Sequence, residues 1–249
     1  MIGVRSAELR GGEQCAALPL CKAVPLGAAT RAAHEKLFAF DKGTTTLAFK
    51  YRGGVMVACD SRASQGTFVA SQTVRKIIEI NEYLLGTMAG CAADCSFWER
   101  HVARLCRQHE LQHKQRVRVS MAAKWLADCF FHYRGYGLSC GTMIAGYDFE
   151  EADSKLFYVD DSGWKCERQV ASVGSGQGYA YSVLDNGYRF DLSDAEALQL
   201  AKRAIFQATV RDGASGGVVR VYRVAQGGWQ KLVEAADVAV LQREFGVSG

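Results

Sequence analysis

The sequence predicts an α+β fold, a four-layer αββα sandwich of two antiparallel sheets flanked by helix pairs. Two observations carry this. Predicted elements run strands, two helices, strands, two helices, strands, and segregated strands and helices argue against a parallel βαβ repeat. Short turn signals such as Gly53-Gly54 and Asn81-Glu82 join neighbouring strands directly, as antiparallel pairing requires.

The elements follow in order. Apolar or alternating runs at Thr44 to Lys50, Val55 to Cys59, Phe68 to Ala70, Lys76 to Ile80 and Tyr83 to Met88 read as one antiparallel sheet. A helix from about Ser96 to Leu111 places Trp98, Val102, Leu105 and Cys106 on one face. A second, capped by Ser120, spaces Ala122, Trp125, Leu126, Cys129, Phe130 and Tyr133 helically until Gly135 stops it. Strands return at Gly141 to Gly146, Leu156 to Val159 and about Arg168 to Val173. A short helix holds Tyr179 to Leu184. Ser193 and Glu196 form a capping box for a longer one through Ala197, Ala201, Ala204, Ile205 and Ala208, ended by Gly213. A hairpin, Val218 to Val224 and Trp229 to Val233, closes the chain around Gln226-Gly227-Gly228.

Composition divides the chain near Gly43. Both prolines, Pro19 and Pro25, precede it, and the 206 residues after it contain none. The division expected is a propeptide, residues 1–43, and one catalytic-size domain, residues 44–249. The net charge of +4 is shared about equally between the two, so neither has the basic bias of a nucleic-acid binder. Nine cysteines, odd in number and without a CxxC pair, read as thiols of a reducing compartment, cytoplasm or nucleus. No segment is long and apolar enough to span a membrane.

Three motifs compete for the chemistry. His109-Glu110-Leu111-Gln112-His113 matches HExxH, but a zinc site needs a third ligand, for which only His132, Asp128 and Asp148 are near in sequence. Lys114, Gln115 and Arg116 follow at once and read as a solvated helix end, so no metal is expected. Ser175 in Gly174-Ser175-Gly176 lacks the first glycine of GxSxG, and the same loop fails GxGxxG because Tyr179 and Tyr181 stand at required glycine positions. The third motif is Gly43-Thr44-Thr45-Thr46. A threonine hydroxyl needs an adjacent base, and a threonine freed at a chain's own N-terminus carries one in its α-amine. Cleavage of Gly43-Thr44 would therefore create the nucleophile.

That amine titrates near 8 and must lose its proton to act. A lysine within about 4 Å would repel an ammonium by up to ~4 kcal/mol at an effective dielectric of 20, and a carboxylate would keep the lysine charged. Asp60, after Val55 to Cys59, and Lys76, opening the strand to Ile80, stand at strand ends suited to these roles.

The blocks Thr44-Thr45-Thr46, Ala58 to Arg62, Val74-Arg75-Lys76, Leu85 to Gly90, Ser172 to Gly176 and Arg211 to Gly217 together resemble, in order and spacing, the catalytic beta subunits of the 20S proteasome. The likeness covers nearly all of Thr44 to Phe245 and implies an N-terminal nucleophile hydrolase. It implies Thr44 as nucleophile, Asp60 and Lys76 as its charge partners, Ser175, Asp212 and Ser215 as support around the amine, and the Gly90 amide as oxyanion donor. Ala63, Ser64, Val74, Met88, Ala92 and Cys95 match the groove and pocket for the residue before the scissile bond. That lining carries no charge, so cleavage after bulky hydrophobic residues is expected. Ser64 stands where the family pattern has threonine, and Asp148 to Lys155 is about two residues longer. The resemblance further implies a 28-subunit stack of four rings of alpha and beta subunits, regulatory caps, unfolded polypeptide substrates, and no cofactor.

Overall fold

The computed structural model describes residues 43–65 and 68–246. The propeptide expected at residues 1–43 thus lies, apart from Gly43, outside the described residues. The described chain is built from twelve strands and five helices: β1 (Thr45–Tyr51), β2 (Gly54–Cys59), β3 (Ala63–Gln65), β4 (Phe68–Ser71), β5 (Ile77–Asn81), β6 (Leu84–Gly90), α1 (Ala92–His113), α2 (Val119–His132), β7 (Cys140–Asp148), β8 (Asp153–Asp160), β9 (Lys165–Glu167), β10 (Val170–Gly174), α3 (Gln177–Gly187), α4 (Asp194–Arg211), β11 (Val218–Ala225), β12 (Gly228–Asp237) and α5 (Val238–Phe245).

Two five-stranded antiparallel sheets result, in the orders β10-β1-β2-β11-β12 and β5-β6-β7-β8-β9, with β3 and β4 as a separate ribbon. Three apolar clusters separate four layers. Leu47, Phe49, Met56 and Ala58 pack with Ala197, Ala201 and Ile205 of α4. Leu84 and Ile144 pack with Trp98 and Val102 of α1 and Leu126 and Phe130 of α2. Ala48, Val55 and Val57 meet Leu85, Met143 and Leu156 between the sheets. Both faces of each central strand are buried, so every second residue goes to one core and the rest to the other. This is why β1 and β2 read as nearly continuous apolar runs.

The expected single sheet of the first five strands is corrected. β1 and β2 join one sheet, while β5 and β6 join the other. Turn chemistry dictates the local hairpins, but the nonlocal partners β10, β11 and β7 decide which sheet each hairpin enters. Helix boundaries also move. α1 begins at Ala92 rather than Ser96, because Gly90 at φ +108° turns the chain and the Cys91 N–H donates to Ser139 O at 2.7 Å. Arg118, not Ser120, occupies the N-cap of α2, with no side-chain cap. α4 carries the expected capping box, Glu196 N donating to Ser193 Oγ and Ser193 N to Glu196 Oε2, but ends at Asp212. Strands β3 and β9 and the terminal α5, capped by Asp237, are further elements of the fold.

Candidate active site

Thr44 immediately precedes β1, Asp60 follows β2 and Lys76 precedes β5. The β1–β2 register pairs Thr46 with Cys59, so the next step along the hairpin sets Asp60 beside Thr45. Thr45 N donates to Asp60 Oδ1 at 2.9 Å and Asp60 N donates to Thr45 O at 3.1 Å. Lys76 Nζ reaches Asp60 Oδ1 at 2.6 Å. The other carboxylate oxygen accepts from Arg62 N at 3.1 Å and Gly216 N at 3.0 Å. A carboxylate with no exposure at all therefore has one cation and three backbone donors, the compensation that a buried charge requires. Burial, with Asp60 adding to it, pushes the neighbouring Cys59 thiol up to about 12.

Thr44 Oγ1 donates to the carbonyl of Gly43 at 2.6 Å, and Lys76 Nζ donates to the same oxygen at 3.2 Å. The hydroxyl thus lies against the carbonyl of the bond that would have to break. A Cβ on residue 43 would lie 2.0 Å from Ala214 O, so only glycine fits this approach.

On the other side, Thr44 N donates to Ser175 Oγ at 3.2 Å, and Ser175 Oγ donates to Asp212 Oδ2 at 2.6 Å. Ser215 Oγ donates to the same carboxylate oxygen at 2.6 Å and contacts Thr45 Oγ1 at 2.7 Å, while Ala214 N donates to Asp212 Oδ1 at 3.1 Å. Asp212 is the C-cap of α4, and Ser175 follows β10, whose Gly174 pairs with Thr45. Strand ends and one helix end bring Thr44, Asp60, Lys76, Ser175, Asp212 and Ser215 together.

A pocket of about 260 Å³ opens beside Thr44. Ala63, Ser64, Val74, Met88, Gly90 and Ala92 line it, as does Cys91, which the sequence reading did not single out. Cys95, also expected in the pocket, is fully buried in α1, its thiol donating to Ala89 O at 3.6 Å. Thr45 is a second addition, because a threonine next to a threonine offers no sequence signal for a hydrogen bond to Ser215.

The HExxH residues are arranged otherwise than a zinc site needs. The rings of His109 and His113 stand 4.4 Å apart, but Glu110 accepts from the Tyr83 hydroxyl, which itself accepts from Val117 N at 2.9 Å. Asp128 pairs with Lys124 and Asp148 with Arg118. Among the described residues no group of three or more His, Cys, Asp or Glu is placed to hold a metal ion.

Fold and site define one class, and comparison with known proteins agrees: the family model described as Proteasome subunit matches residues 40–224. The chain belongs to the proteasome subunit family. It is 57% identical over 204 residues to "Proteasome subunit beta type-5" of Spinacia oleracea, covering 82% of this chain and 74% of the relative. The protein of the same name from Gallus gallus is 55% identical over 82% of this chain and 78% of its own length. "Proteasome subunit beta type-8" of Rattus norvegicus is 53% identical over 82% and 72%.

Proposed function

We propose that this chain is a threonine-type endopeptidase of the 20S proteasome core, made as a precursor and released by cleavage of Gly43–Thr44. The observation that carries this reading is the double engagement of the Gly43 carbonyl by the Thr44 hydroxyl and the Lys76 ammonium. In the precursor, Thr44 Oγ1 adds to that carbonyl carbon, the C–N bond breaks, and the resulting ester is hydrolysed. Residues 1–43 leave with a new carboxylate, and Thr44 keeps a free amine.

In the mature chain the amine takes the place of the amide that now contacts Ser175. It accepts the hydroxyl proton as Thr44 attacks a substrate carbonyl, then returns it to the leaving amine. The Lys76 ammonium, ion-paired with Asp60, opposes protonation of that amine. Ser175, Asp212 and Ser215 fix its orientation. The Gly90 amide, on the pocket rim, donates to the developing oxyanion. Water finally cleaves the acyl-enzyme. No cofactor enters the scheme.

The apolar wall of Ala63, Val74, Met88 and Ala92 favours a bulky hydrophobic residue before the scissile bond, a chymotrypsin-like preference. Met88 is flexible enough to fit side chains of different shape, and Ser64 adds a hydroxyl to the groove. Family membership makes other proteasome subunits the assembly partners. The full reading is a 28-subunit, four-ring core with regulatory caps, acting on unfolded polypeptides in cytoplasm and nucleus.

Mass spectrometry of the chain purified within its particle tests this directly. The expected mature N-terminus is Thr44, and Thr44→Ala should leave Gly43–Thr44 uncut and abolish hydrophobic-site cleavage. Particles that retain the leader on this chain and still show that activity from it would sink the reading.

A further inference from the structure

Outside the catalytic cluster, the most conspicuous polar group is Glu99, in the middle of α1. Its side chain has no exposure, and neither carboxyl oxygen has a hydrogen-bond partner in the protein. The same holds for the hydroxyl of Thr142 on β7. Buried polar groups are nearly always satisfied by protein or by ordered water, so two such groups require a common explanation.

Their placement supplies it. Glu99 lies on β6 at Gly86: a Cβ there would come within 2.7 Å of the Glu99 Cδ and 2.8 Å of both oxygens. Gly86 pairs with Ile144, and Met88, two residues on, pairs with Thr142. Met88 and Ile144 belong to the cluster that packs on α1 and α2, so Thr142, alternating with neither, faces the same layer. Thr142 is therefore the diagonal neighbour of Gly86 on that face, at a separation of roughly 7 Å between backbone positions. No direct hydrogen bond joins the two groups, and a shared water would satisfy both.

We propose that Glu99 and Thr142 bind a trapped water between α1 and the β6–β7 pair, and that this bridge positions the end of β6 carrying Met88 and Gly90. The carboxyl is in its neutral form there, one oxygen donating and the other accepting, since no cation is paired with it. Burial first, and Cys140 second, raise the Glu99 carboxyl well above the usual carboxylate range, in agreement with that form. Glu99 touches no reacting atom. It is a positioning residue, and its effect on turnover rests on the threonine-peptidase reading.

The test uses assembled particles carrying Thr142→Val, Glu99→Leu and both changes. A high-resolution crystal structure of the unchanged particle should show density within hydrogen-bond reach of Glu99 and Thr142, lost in Thr142→Val. Each single change should lower kcat/KM for a hydrophobic reporter about five-fold, and the double change should cost no more than either alone, because a shared bridge can be lost only once. Additive losses, or an unchanged particle with no density there, would overturn the proposal. If Glu99→Leu fails to assemble, Thr142→Val carries both readouts. The density is independent of catalysis, so its presence in particles in which Thr44 proved dispensable would separate failure of the functional reading from failure of this one.

Discussion

Asp60 and Glu99 are both carboxylic acids with no solvent exposure, in two regions of one domain, and their surroundings are opposite. Asp60 has Lys76 and three backbone N–H groups around it, whereas Glu99 has no protein partner. Burial alone, then, does not make a catalytic acid. What distinguishes the catalytic region is that its donors come from four separate parts of the chain, the start of β1, the loop after β2, the residue before β5 and the turn before β11, and converge on one carboxylate. The Glu99 region is lined by α1 and the β6–β7 pair, and no protein donor there reaches the carboxyl.

The largest effect should come from breaking the satisfied region. Lys76→Ala leaves the buried Asp60 charge without its paired cation, which should cost about 3–5 kcal/mol of stability. It should also lower hydrophobic-peptide hydrolysis by about 10³-fold through loss of the charge that tunes the Thr44 amine. Melting temperature and kcat on the same preparation check both. An active, stable Lys76→Ala particle would erase the contrast. Next, Asp212→Ala removes the acceptor shared by Ser175 and Ser215. We expect kcat to fall about 10²-fold with the pocket's KM little changed.

Glu99→Gln sharpens the contrast from the other side. A carboxyl raised in the folded state holds a proton that the unfolded chain releases. Stability therefore falls as pH rises above the unfolded value near 4.3, at a limiting slope of about 1.4 kcal/mol per pH unit until the folded pKa is passed. Glu99→Gln should flatten that fall in a series of denaturation curves across pH. A wild-type curve that rises with pH over the same window, and does so because of Glu99, would contradict the assignment. The smallest change expected is Ser193→Ala, which removes one half of the α4 capping box, far from either acid. It should cost about 1 kcal/mol and leave kcat unaltered.

The two regions also differ in how far they were legible in the sequence. Thr44, Asp60 and Lys76 could be read because each stands at the end of an apolar run, and strand ends are where side chains meet at a sheet's edge. The four-layer plan followed from segregated strands and helices, and the α4 capping box from Ser193 and Glu196. The division of the first five strands between two sheets could not be read, since it depends on pairing with β10, β11 and β7, distant in the chain. The start of α1 was placed too late because it lies where Gly90 turns the backbone, a matter of φ rather than of residue pattern. Glu99, between Trp98 and Arg100, reads locally as part of a solvated face. Only the glycine at position 86, over which its carboxyl fits, reveals that it points inward.

Lys76, to which the proposed mechanism gives a role in the mature site, is hydrogen-bonded to the Gly43 carbonyl of the segment that the same mechanism removes. Under the proposed mechanism this makes the first peptide bond processed a bond of the chain itself, and the event cannot be reversed or repeated. Timing is thereby set without any separate inhibitor: each copy is its own first substrate, and until that single turnover is complete its hydroxyl has no free amine as base with which to attack another protein.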